Sequence, residues 1–205
     1  MPVAPHRAIQ TSLPAWYRGD VHAVLHFGVI GAAMIASGAA LIARQPALLL
    51  AVPVLVPVWS VVEYAIHRFV LHAIHPLWPP LSRDHRVHHA YFPATDMFLD
   101  THHDVYRVLL RPHDVVAVEV LVVLICGGIA WIDVGVALAA ATAANAYFLL
   151  YEVAHAGSHV RSWSDRPLLL VPARHHRAHH AQLDSQRNLA NVFPWIDTLF
   201  RTSVP

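Results

Sequence analysis

The chain has no lysine and one cysteine, Cys126, and only 13% of its 205 residues are charged. A single thiol forms no internal disulfide and offers no paired-cysteine zinc site. A formal charge of +1 supplies neither the basic field that nucleic acid needs nor an acidic tail. Residues 1–20 carry Arg7 and Arg18 but no apolar core, so they read as a polar N-terminal segment and not as a signal peptide.

Two things are abundant instead. Apolar residues make up 56% of the chain, and its 18 histidines outnumber its 14 arginines. The apolar residues gather in four runs, about Ala23–Ala43, Pro46–Val62 (continuing into Glu63–His67), Val115–Ile132 and Val134–Tyr151. Each is close to the roughly 20 residues a helix needs to cross a bilayer. Pro53 and Pro57 are expected to kink the second. The links near Arg44–Pro46 and at Asp133 are too short for anything but tight hairpins. The expected fold is an all-α integral membrane domain over residues 1–205, with four transmembrane helices in two hairpins and a helical, histidine-rich cap built from 63–113 and 152–205. Of the arginines, only Arg44 lies in a hairpin turn, so the positive-inside rule places the termini and the cap in the cytoplasm, at the cell inner membrane.

The histidines fall in four groups: His67 and His72; His85, His88 and His89; His155 and His159; His176, His179 and His180. Residues three and four apart share a helix face. His85, His88 and His89 are therefore expected to form one facing set, His176, His179 and His180 a second, and His155 and His159 to stack one turn apart. His67 and His72 are five apart and do not share a face on an ideal helix; they either straddle two metals or flank a helix end. Clustered neutral imidazoles suit a pair of borderline transition metals. His6, His22, His26, His75, His102, His103 and His113 fit no partnered spacing and read as structural or exposed, and His175 is an extra beside the last set.

In order, the motifs HRFVLH, HRVHH, HAGSH and HRAHH, with the closing stretch NLANVFPWIDTLFRT (188–202), resemble the fatty acid hydroxylase/sterol desaturase superfamily. The resemblance covers roughly residues 60–202 and implies two iron ions, O2 as co-substrate and an oxidised lipid. It implies His67, His72, His85, His88, His89, His155, His159, His176, His179 and His180 as metal ligands. It also implies a separate electron-transfer protein of cytochrome b5 or ferredoxin type with its reductase. Zinc is an expected substitute in purified protein. Glu63, Asp84, Glu152, Asp184, Asn188 and Asn191 are candidates for orienting the imidazoles from behind. The expected reaction is hydroxylation of a fatty acyl chain, sterol or related lipid. The alternatives are a carotenoid ring hydroxylase, a lipid desaturase and, outside enzymes, a metal-binding or metal-transport membrane protein. Transport fits poorly with ligands that flank the membrane helices and do not line a path through them.

Overall fold

The computed structural model describes residues 13–73, 79–181 and 187–204. Among these residues every regular element is helical. Helix α1 (Gly19–Arg44) starts four residues earlier than expected and so takes in His22 as well as His26. Gly19 is required at its first position, because a Cβ there would overlap the carbonyl of His102. After Gln45 the chain turns through a 3₁₀ segment, Pro46–Ala51, into α2 (Val52–Ile66). Pro53 lies in the first turn of α2, where a missing N–H costs nothing, and Pro57 lies inside it. The helix then widens into a π turn, His67–Leu71.

Helix α3 (Pro79–Tyr91) carries the second motif. A capping box at Thr101 and Asp104 starts a short 3₁₀ turn, followed by α4 (Val105–Val108). Helix α5 (Pro112–Ala130) and helix α6 (Val134–Ser158) form the second hairpin, with the Asp133 side chain accepting the Val136 amide to cap α6. Helices α7 (Arg161–Ser164), α8 (Leu170–His180) and α9 (Trp195–Leu199) complete the cap.

Four helical segments are long and apolar enough to cross a membrane: Gly19–Arg44, Pro46–Leu71, His102–Ala130 and Val134–Ser158. In the first three, at most 22% of the most apolar stretch is buried by protein, whereas in α6 half is. Helix α6 is therefore the axis, packed against α1, α2, α5 and α8. Its inner surface is small, with Ala137, Ala139, Ala140, Ala143 and Ala144 buried, which lets neighbouring backbones approach closely. The outer faces of the others carry exposed Leu25, Val29, Val54, Val58, Val120 and Leu124, the surface that lipid covers. In the segment between α3 and α5, Leu109 is buried with Tyr91, Phe92 and Val108, and Leu99 packs on them.

Candidate metal centre

The helical ends bring all ten predicted histidines to one place, with His67 and His155 in the last turns of two candidate spans and the other eight beyond them. His67, His72, His85, His89 and His179 form one group, and His88, His159, His176 and His180 a second. Within each group the ligand atoms lie within 4.8 Å of one another. His155 adjoins the second group, its Nε2 3.3 Å from that of His88 and its ring 4.8 Å from that of His176. The groups touch: the rings of His89 and His180 stack with centroids 4.2 Å apart.

Two features differ from the spacing rules. First, the H-x-x-H-H motifs do not form one facing set each. His85 and His89 on α3 join the first group while His88 joins the second; on α8, His176 and His180 join the second while His179 joins the first. Only the i,i+4 pairs stay together, because the residue three positions along is offset around the helix enough to face the neighbouring group. Each motif thus gives a pair to one group and a single ring to the other. Second, His67 and His72 do share a face. In the π turn the His72 amide donates to the His67 carbonyl at 3.2 Å, an i→i+5 bond, which brings residues five apart into register. Their ring centroids are 5.1 Å apart, and both serve one group, with the helix ending at Leu71 and His72 as its cap.

The ring nitrogens show why these are donor sets. Nε2 atoms meet at 3.1 Å in His67–His85, His72–His85, His85–His89 and His72–His179, and again in His88–His180 and His159–His176. Two nitrogens at right angles about an ion at a metal–nitrogen distance of about 2.1 Å lie about 3.0 Å apart, so the spacing fits imidazoles around a common ion. The opposite nitrogen is fixed by main-chain oxygen. Nδ1–H donates to Leu189 O from His67 (2.5 Å), to Arg107 O from His88 (2.7 Å), to Met97 O from His159 (2.6 Å), to Arg187 O from His179 (2.8 Å) and to Phe92 O from His180 (2.6 Å). That tautomer leaves the Nε2 lone pair free for a metal.

Protonation points the same way. Burial, reinforced by neighbouring imidazoles, lowers His72 to about 3, and burial lowers His159 to about 4 although Met97 O opposes the shift. His85, His88, His89, His176, His179 and His180 are also held well below the ordinary imidazole value, chiefly by burial. At neutral pH these rings are uncharged donors.

The six side chains expected behind the imidazoles separate. Glu63 lies 3.5 Å from His67 Nδ1, held by Asn191 Nδ2 (3.1 Å) and by the Tyr147 hydroxyl (3.1 Å). Asp84 pairs with Arg111 and not with a histidine. Glu152 lies against His26. Asn188, at φ 53°, pins the chain end through Val204. Asp184 lies outside the described residues. Sequence reasoning missed Asp197. Burial opposes its ionisation, but hydrogen bonds from His175, Thr202 and the amides of Ala190 and Leu189 keep its carboxyl below the usual range. By gripping Leu189 and Ala190, Asp197 sets the carbonyl that orients His67. His175 is thereby engaged by Asp197 at 2.9 Å and lies outside both groups.

Two adjoining cavities reach these rings. One of about 350 Å³ lies between α3, α4 and α6 and touches His85, His88 and His155, with Arg83, Arg107 and Arg111 on its wall. The other, of about 140 Å³, lies between α2, α5 and α6 and runs from Trp59, Val118 and Phe148 to His67. Leu71, Leu81, Leu110 and Tyr151 border both. Among the aromatics near the centre, Trp59, Tyr147, Phe148 and Tyr151 line the smaller cavity, whereas Tyr64, Tyr91 and Phe92 are packed in the core.

A family model described as Fatty acid hydroxylase matches residues 52–202, which takes in every histidine of the two groups. No curated protein and no solved structure matches the chain.

Proposed function

Because the chain belongs to the fatty acid hydroxylase family, we propose that it is a membrane-bound di-iron monooxygenase that hydroxylates a lipid. The observation that carries this reading is the pair of adjoining, uncharged imidazole groups with convergent Nε2 atoms, set at the end of an apolar cavity. His67, His72, His85, His89 and His179 would hold one ion; His88, His155, His159, His176 and His180 would hold the other. When bound, two iron ions supply the reductive activation of O2 and the transfer of one oxygen atom into an unactivated C–H bond.

The chain's own part is positioning. The main-chain oxygens behind Nδ1 fix five of the rings, His67, His88, His159, His179 and His180, before any metal arrives. The packed segment of Phe92, Leu99, Val108 and Leu109 lies against the second group through Phe92, whose ring meets those of His88 and His159. A lipid tail entering between α2 and α5 lies along Trp59, Val118 and Phe148 and ends at His67, while its polar end rests in the larger cavity among arginines and aspartates. The centre faces the cytoplasm, where a separate protein of cytochrome b5 or ferredoxin type delivers electrons.

The test is expression in a lipid-producing host, with extracted lipids compared by mass spectrometry. A lipid gaining one oxygen, lost in His179→Ala, supports hydroxylation. Loss of two hydrogens moves the reading to a desaturase. An unchanged profile with several electron donors supplied overturns the oxygenase reading. Iron must be reloaded before assay, since histidine sites take zinc readily during purification.

A further inference from the structure

Neither histidine group contains a carboxylate, and the Nδ1 protons of five of their rings are tied to main-chain oxygen. Oxygen chemistry at the centre therefore lacks an obvious source of protons among the ligands. A carboxyl–imidazole pair next to them is unaccounted for. His26 on α1 and Glu152 on α6 are 0% and 1% exposed, with His26 Nε2 3.3 Å from Glu152 Oε2. The separation is that of an ion pair, yet both ring nitrogens and both carboxylate oxygens lack an aligned hydrogen bond among the described residues. Such a pair is weak as a source of stability, because desolvation offsets the attraction.

Its position suggests a use. Glu152 lines the 350 Å³ cavity that also touches His85, His88 and His155. The other carboxylates on that wall, Asp84 and Asp114, are both engaged by Arg111. Arg83, Tyr106, Arg107 and Tyr151 complete the titratable wall of the cavity. On the far side, His22 lies one turn back along α1, with its ring 6.2 Å from that of His26. Tyr17 bonds to His22 at 2.9 Å and stacks on His103, which is exposed. Both ring nitrogens of His22 are engaged, Nδ1 by the Tyr17 hydroxyl and Nε2 by the Leu110 carbonyl at 3.0 Å.

We propose that His26 and Glu152 are a proton-delivery pair that holds one proton between Nε2 and Oε2 and releases it from Glu152 into the cavity. This rests on the oxygenase reading. Hydroxylation consumes a lipid C–H, one O2, two electrons from the separate protein donor and two protons from solvent, and yields a lipid alcohol and water. In the delivery step the Glu152 O–H bond breaks and its proton goes to the oxygen atom that leaves as water. His26 then returns a proton to Glu152 and is reloaded from solvent.

The experiment uses the full, iron-loaded chain in detergent or nanodiscs with a lipid that the wild type oxidises. Glu152→Gln is expected to lower coupled turnover by about 100-fold or more, with hydrogen peroxide released in place of product. Iron content and lipid KM should stay at wild-type values, and the solvent deuterium effect should rise. His26→Gln should do the same to a smaller degree. Normal coupling in Glu152→Gln overturns the proposal. So does a raised lipid KM with unchanged kcat, which marks a substrate contact, or loss of iron, which marks a structural role. Infrared spectra of the metal-free chain give a second readout: a protonated-carboxyl or imidazolium signal present in wild type and missing in Glu152→Gln. Its absence from wild type overturns the pair. Failure of every lipid to be oxidised overturns the oxygenase reading and leaves the infrared result to decide the pair.

Discussion

The two histidine groups draw on the same two cap helices but are oriented by different parts of the chain. In the first, the carbonyls behind His67 and His179 belong to Leu189 and Arg187, in the C-terminal segment that Asp197 holds. In the second, those behind His88, His159 and His180 belong to Arg107, Met97 and Phe92, in the segment between α3 and α5. The first group also depends on a π turn and contains two half-buried rings, His72 and His85, whereas all four rings of the second are buried. A shared ligand chemistry thus rests on independent scaffolds, and damage to one scaffold should fall on one group.

Inserting one alanine after Val70 is the strongest way to break the comparison. It puts His67 and His72 six apart and swings His72 by about 100° away from the first group. One ion per chain should be lost by elemental analysis and lipid oxidation should disappear; full metal content would mean that the turn is dispensable. Next come neighbours within one motif. His179→Ala should empty the first group and His176→Ala the second, although both sit on α8. Mössbauer spectra of iron-loaded protein should lose different components, and identical losses would merge the two groups into one. Asp197→Ala should weaken metal affinity at the first group about 10–100-fold and spare the second. Equal weakening at both groups would remove the distinction between their scaffolds. The smallest effect is expected from Tyr91→Phe, which removes a 2.7 Å hydrogen bond to Asp104 in the scaffold of the second group. It should cost about 1 kcal/mol, read as a lower Tm with unchanged metal content.

Much of this arrangement is legible in the sequence. The four spans follow from apolar length, and the limits of α2, α5 and α6 differ from the runs mainly where helices continue past the apolar stretch into the cap. The ten histidines are found by spacing and motif order because imidazole is chemically distinctive. The division of each motif between two groups is not legible, since one-dimensional spacing does not say what faces the helix from either side. Nor is the π turn, because the five residues HRFVL carry no local signal for an i→i+5 bond. The His26–Glu152 pair joins positions 126 apart in sequence and becomes visible only when α1 packs on α6. Asp197 stood inside a recognised motif, but its four contacts come from the fold of the closing segment.

The oxygens behind Nδ1 are main-chain atoms, and every amino acid supplies one. Substitution at Phe92, Met97, Arg107, Arg187 or Leu189 changes the side chain and leaves the anchor in place, provided the backbone path holds. The outer ring of the centre is thereby buffered against point mutation and vulnerable to insertions and deletions. Alanine scanning will find the imidazoles and pass over what aims them.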